Sequence, residues 1–228
     1  MMGKEATDLY IRHFSFWDRL SNGERDLLNR HTHAVHYEKG TQVHCGALDC
    51  LGIFLVKKGQ LRVYTLSEDG RDVTLYRLFP DDIAILSAAC VLDAVTFDVF
   101  VDAEEDTEAL LTDAGAFRKL VEKNIYVRCY AYEMASARLS DMLWKMQQVL
   151  FLSADRRFAI FLLEESEKQK SATIRLTHEK MARYMGTARE VVSRLVKYFG
   201  QEGWIASARG FLRIQDKKAL ERLAGEHQ

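Results

Sequence analysis

The stretch Thr177–Trp204, THEKMARYMGTAREVVSRLVKYFGQEGW, constrains the fold more than any other part of the chain, because it reads as two short helices meeting at a glycine. Thr187 followed by Glu190 has the spacing of a capping box, and Gly186 precedes it, so a helix is predicted to begin at Ala188. On a helical projection the polar residues Arg189, Glu190, Ser193, Arg194, Lys197 and Gln201 share one arc of about 140°. Ala188, Val191, Val192, Leu195, Val196 and Phe199 occupy the opposite arc. An ordinary surface helix divides the same way, but this polar arc is short, mixes Arg with Ser, and starts in the first turn. Such side chains match base edges, with Arg donating twice to guanine and Glu accepting from cytosine.

The preceding helix completes the unit. Thr177 is a suitable N-cap, Met181, Ala182 and Met185 form its apolar stripe, and the short turn at Gly186 is what a helix-turn-helix requires. Beyond it, Gly203 ends the second helix. Trp204-Ile205 then opens a strand pair around Ala208-Arg209-Gly210, closed by Phe211 to Ile214. The pattern predicts a winged helix-turn-helix with Arg189, Glu190, Ser193, Arg194, Lys197, Thr177, Thr187 and Arg209 toward double-stranded DNA. Charge agrees: residues 150–228 hold 15 Lys+Arg against 10 Asp+Glu, whereas residues 1–149 hold 17 against 23.

Residues 8–30 read as a helical lead-in with Leu9, Phe14, Phe16, Trp17, Leu20, Leu27 and Leu28 as apolar positions. From His31 to about Thr112 the period becomes two, through Val35/Tyr37, Ile53/Leu55, Leu61/Val63, Val73/Leu75, Phe97/Val99/Val101 and Leu110. Turns are marked at Lys39-Gly40, Lys58-Gly59 and Glu68-Asp69-Gly70-Arg71. Many short strands at this spacing make a small barrel or roll. After Asp113 the pattern is helical to about Leu150, a single long helix. Along it Ala131, Ala135, Leu139, Met142, Met146 and Val149 recur at steps of three and four, a stripe that admits a second helix. The expected class is α+β, divided into residues 1–115, 116–150 and 151–228. No apolar run reaches the roughly 20 residues of a membrane span, and no signal peptide is evident, so a cytoplasmic protein with reduced cysteines is expected.

GTAREVVSRLVKYFGQEGWI resembles the recognition element of the cyclic-AMP receptor protein and FNR (Crp/Fnr) superfamily of bacterial transcription regulators, and the resemblance extends over essentially the whole chain. Arg189, Glu190 and Arg194 match the base-reading positions of one branch. Glu190, Ser193 and Arg194 match the Glu-x-x-Ser-Arg signature of the other. The resemblance implies an N-terminal β-roll of the cyclic-nucleotide-binding, jelly-roll type, in which Gly40, Gly59 and Gly70 match turn glycines. It also implies a dimerisation helix carrying the stripe from Ala131 to Val149, a homodimer on a two-fold symmetric operator, and RNA polymerase as a partner.

The resemblance does not extend to the signal. Cyclic-nucleotide members carry Gly-Glu and Arg-Ser or Arg-Thr around the phosphate. Here Ile85-Leu86 and Phe97-Asp98 stand at those places, and no Arg or Lys lies between Arg77 and Arg118. A buried phosphate would lack a counter-charge, so neither cyclic AMP nor cyclic GMP is expected. The pocket residues are Leu75, Ile85, Leu86, Ser87, Phe97, Asp98 and Val99, and the effector is an unidentified small molecule. An iron–sulfur cluster is not expected, because nothing precedes Cys45 and Cys45-x₄-Cys50 is only a pair; Cys90 and Cys129 read as buried small hydrophobes. Cys45 and Cys50 as a thiol switch, and haem in the apolar pocket, remain alternatives. For haem, alternation puts His31 and His33 on one strand face and His36 on the other, and such histidines are more often surface residues than axial ligands. An empty roll on a constitutive DNA-binding protein is a further reading. An enzyme or small-molecule binder keeping the helix-turn-helix as scaffold is disfavoured, since no nucleophile elbow, phosphate loop or HExxH motif occurs.

Overall fold

The structure is a computed structural model and describes residues 4–45, 52–68, 70, 72–85 and 99–225. The chain forms two compact units, Met1–Arg71 with Leu75–Asp141, and Asp72–Thr74 with Met142–Gln228.

The first unit opens with helix α1 (Lys4–His13), a 3₁₀ turn at Trp17–Arg19 and helix α2 (Asn22–His31). A capping box starts α2: the Ser21 backbone N–H donates to the Glu24 carboxylate at 2.8 Å, and the Glu24 N–H to the Ser21 hydroxyl at 3.4 Å. Among the described residues eight strands follow: β1 (Thr32–Tyr37), β2 (Gln42–Cys45), β3 (Gly52–Lys58), β4 (Leu61–Leu66), β5 (Asp72–Leu78), β6 (Ile83–Ile85), β7 (Phe100–Ala103) and β8 (Thr107–Asp113). They make two four-stranded sheets, ordered β1-β8-β3-β6 and β2-β7-β4-β5. Phe54, Val56, Leu61, Val63, Val101 and Ala109 fill the roll between the sheets. The outer face of the first sheet, with Ile53, Leu55 and Leu110, packs on Tyr10, Phe14, Trp17, Leu28 and Phe117. Strand β3 is therefore buried on both faces, which explains its unbroken apolar run Ile53–Val56. Between β3 and β4 the chain turns at Gly59, where φ is +88° and a Cβ would meet the Asp106 carbonyl at 2.4 Å, so only glycine fits.

The single helix expected over residues 116–150 is two helices, α3 (Ala114–Lys123) and α4 (Ile125–Phe151). Asn124 breaks them. Its backbone is extended, and its side-chain oxygen accepts from the N–H groups of Tyr126 and Val127 at 3.0 and 3.4 Å, capping the new helix. The Arg128 guanidinium takes the Val121 and Glu122 carbonyls at the end of α3.

The second unit contains helix α5 (Ala154–Lys168), strand β9 (Thr173–Ile174), helices α6 (His178–Met185) and α7 (Arg189–Gln201), strands β10 (Ile205–Ala208) and β11 (Phe211–Ile214), and helix α8 (Lys217–Ala224). The strands form one sheet ordered β10-β11-β9. Phe158, Leu162, Ile174, Met181, Val192, Phe199, Leu212 and Leu220 make its core.

Candidate nucleic-acid interface

Helix α6 starts where its sequence implies: the Thr177 hydroxyl accepts from the Lys180 N–H at 3.2 Å. It ends at Gly186, whose φ of +61° is a left-handed conformation that side chains disfavour. The next residue closes the turn, its Thr187 N–H donating to the Ala182 carbonyl at 3.0 Å. That bond overturns the expected capping box. A box needs a free N–H at the capping residue for the glutamate, and the Thr187 N–H is already spent on the preceding helix. The N-cap is instead Ala188, with no side-chain cap, and α7 begins one residue later than expected. Thr187 is half-buried in the turn, and Ala188, placed on the apolar arc by the projection, is exposed.

Helix α7 is anchored by Val192, Leu195, Val196 and Phe199, all buried. A Schellman-type closure ends it: the Trp204 N–H reaches the Phe199 carbonyl at 3.0 Å, with the two rings 5.0 Å apart. Burying that stripe forces the opposite one outward, so Arg189, Glu190, Arg194 and Lys197 are exposed. Among the described residues none of the four has a hydrogen-bond or ion-pair partner. Ser193 differs. It is half-buried, and its hydroxyl lies 3.0 Å from Nδ1 of His178, the first residue of α6. His178 was absent from the sequence reading, and only its place directly after the N-cap could have suggested it.

Arg209 is exposed in the two-residue turn between β10 and β11, where Ala208 pairs with Phe211. A cleft of about 450 Å³ brings Thr177, His178, Glu179, Arg189, Arg209 and Phe211 together, between the start of α6 and the wing. Glu190, Ser193, Arg194 and Lys197 lie outside it. Two guanidiniums against one carboxylate make the cleft suited to a phosphodiester.

The other expected sites fare less evenly. Ala131 is fully buried in the core of the first unit, so it serves its own unit and is unavailable to a partner helix. Ala135 and Met142 are half-buried, whereas Leu139, Met146 and Val149 are 58, 52 and 58% exposed. Leu143 and Leu150, not in the expected stripe, are exposed beside them at 46 and 63%. Of the expected pocket, Leu86, Ser87, Phe97 and Asp98 lie outside the described residues. Leu75 is half-buried on β5. Ile85 packs with the helix-side core and Val99 with the roll interior. The local count of cations also misses Arg138 on α4. Its guanidinium donates to the Ile83 carbonyl at 3.2 Å and lies 4.6 Å from the Tyr76 ring centre, so the fold brings a cation to the roll from residues far along the chain. Burial raises the Tyr76 hydroxyl pKa, and this arginine partly opposes that.

Cys129 is exposed rather than buried, as is Cys45; Cys50 and Cys90 lie outside the described residues. His31 and His33 hold the two oxygens of Asp113 at 3.0 and 3.1 Å, although His31 ends α2 instead of lying on the strand. Among the described residues no His/Cys/Asp/Glu group could hold a metal, and no helix is long and apolar enough to cross a membrane.

A winged helix-turn-helix with an unpaired polar face, carried on the same chain as a β-roll, defines a DNA-binding transcription regulator. Comparison with known proteins agrees. Residues 156–223 match the Crp-like helix-turn-helix domain, and residues 34–124 the cyclic nucleotide-binding domain. A solved structure described as a transcriptional regulator of the Crp/Fnr family from Eubacterium rectale superposes with a TM-score of 0.87 at 38% identity, over 94% of this chain and all of that one. The cyclic AMP receptor protein of Thermus thermophilus is 24% identical over 172 residues, 75% of this chain and 79% of that protein. The transcriptional activator protein anr of Pseudomonas aeruginosa is 27% identical over 184 residues, 76% of this chain and 72% of that protein. The chain belongs to the Crp/Fnr family of transcription regulators.

Proposed function

We propose that the protein acts as a homodimer on a two-fold symmetric operator, with half-sites separated by one helical turn of about 34–36 Å or a small multiple of it. Glu190, Ser193 and Arg194 read bases with Arg189 in reach, while Lys197, Thr177, Thr187 and Arg209 serve the backbone. The observation that carries this reading is the polar face of α7, whose four charged side chains are exposed and unpaired over a helix pinned by its buried face. Dimerisation is assigned to α4, where Leu139, Leu143, Met146 and Leu150 follow one another at steps of four, three and four and are all exposed. The roll senses a small effector other than cyclic AMP, since Ile85-Leu86 replaces the Gly-Glu of nucleotide-binding members, and RNA polymerase is the partner through which binding acts.

Selection of operators from random DNA tests this. A symmetric consensus is expected, and Arg194→Ala should cost about 1–3 kcal/mol and relax preference at one base pair. A consensus without symmetry, or one unchanged by Arg194→Ala, overturns the assignment. Leu139→Glu with Met146→Glu should yield monomers in sedimentation, because each charge would be buried unpaired.

A further inference from the structure

Among the described residues, Ser193 is the one member of the proposed base-reading set whose side chain another residue holds. The bond from His178 Nδ1 to its hydroxyl, 3.0 Å long, crosses the helix-turn-helix from the first residue of α6 to the second turn of α7. Both side chains are half-buried, and Ser193 is the hydrogen-bond partner of His178 among the described residues. The same imidazole lines the cleft whose charged groups are Glu179 on α6, Arg189 on α7 and Arg209 in the wing.

A serine hydroxyl has one proton and two lone pairs, and an imidazole nitrogen either accepts or donates. With Nδ1 bare, His178 accepts a hydrogen bond from the Ser193 hydroxyl, and Ser193 offers a base only lone pairs, which suit cytosine N4 or adenine N6. With Nδ1 protonated, the ring donates to Ser193 Oγ and frees the hydroxyl proton for guanine O6, guanine N7 or thymine O4. The hydrogen-bonding state of Nδ1 therefore decides which base edge Ser193 can meet.

We propose that His178 is a specificity-positioning residue, setting whether Ser193 meets the operator as a hydrogen-bond donor or acceptor. This rests on the reading of Ser193 as a base contact.

The test uses the full-length protein and the operator obtained by selection. Affinities for every single-base variant are compared for wild type, Ser193→Ala, His178→Ala, the double variant and His178→Asn, with thermal melting to confirm folding. Ser193→Ala should lower discrimination at one base pair by about three- to tenfold, the worth of one hydrogen bond. His178→Ala should lower it at the same base pair, and the double variant should go no further. His178→Asn, an amide that can still bond the Ser193 hydroxyl, should keep the discrimination that His178→Ala loses. If Ser193→Ala shifts one base and His178→Ala leaves that base alone, or weakens all sequences alike, the positioning role is overturned and base reading survives. If His178→Asn loses the discrimination as fully as His178→Ala, a hydrogen bond from position 178 does not set the role of Ser193 and the proposal is overturned. If Ser193→Ala shifts no base, the assignment of Ser193 as a reader fails and this proposal with it.

Discussion

In the roll, Arg62 is 2% exposed, lies 3.8 Å from Asp102 and stacks 4.1 Å above the Tyr64 ring, and Arg138 is tied to a backbone carbonyl and a tyrosine face. In the winged unit Arg189, Arg194, Lys197 and Arg209 are exposed, with no partner among the described residues. Arginine thus does two kinds of work. An arginine whose donors are satisfied inside the fold stabilises that fold, because desolvation has already been offset by its partners. One left in solvent adds little to stability and remains free to displace the counterions of a polyanion.

The separation of the two units can be broken most sharply at the second core. Phe158 is fully buried, its ring centre 5.0 Å from that of Phe199 with the two planes tilted by 60°. Phe158→Ala should destabilise the winged unit by about 3–5 kcal/mol. Hydrogen exchange read by mass spectrometry should show protection lost in α5 to α8 and kept in β3 and β8. Equal loss in both units would show that the cores unfold as one.

The contrast between paired and unpaired arginines is sharpened by deleting one of each. Arg62→Ala should cost roughly 2–3 kcal/mol in denaturant unfolding, since it strips Asp102 and Tyr64 of a buried partner. Arg209→Ala should change stability by less than about 0.5 kcal/mol. It should instead weaken binding to all DNA sequences alike and reduce the salt slope by about one. A stability loss at Arg209 matching that at Arg62 would erase the distinction.

Within the helix-turn-helix, two threonines test the caps. Thr177→Ala removes an observed cap and should cost about 1 kcal/mol in unfolding free energy. Thr187→Ala should cost less than about 0.5 kcal/mol, because Thr187 caps nothing. The reverse order would restore the capping box at Thr187.

The smallest effect is expected in acid, and it should appear in both units. Burial alone would raise the Glu24 pKa, but hydrogen bonds from Ser21 and Asn124, with Lys123 nearby, hold it below its ordinary 4.5. The Ser153 hydroxyl leads in holding Asp155 below its ordinary 3.8, against burial. Both folded values are depressed, so the stability they add is complete above the unfolded values and lost as pH falls through the folded ones. Glu24→Gln should flatten the acid limb for the first unit only, and Asp155→Asn for the second only, in unfolding followed by hydrogen exchange.

Much of the winged unit was legible because its signals are local. A 3.6-residue period, an N-cap threonine and glycines at two helix ends each act within a few residues, and Thr177, Gly186 and Gly203 stand as the pattern implied. The roll was legible as alternating strands, but which core each strand residue joins was not. Ile85 and Val99 pack on different cores, and Arg138 lies 55 residues beyond Ile83, whose carbonyl it meets.

By itself the sequence determined the periods, the helix-turn-helix and the direction in which the recognition helix faces, since those follow from backbone geometry and from the burial of one stripe. Tertiary structure decided which of several equivalent local signals operates. Ser21–Glu24 and Thr187–Glu190 share one spacing, yet only the first forms a capping box, because the Thr187 N–H is committed to Ala182 while the Ser21 N–H is free to meet its glutamate. The same holds for Ala131 and Leu139, which share a stripe on one helix: one is sealed in its own core and the other is left in solvent. A hydrogen bond or a buried contact excludes its competitors, and the competitors here lie outside the reach of any local pattern.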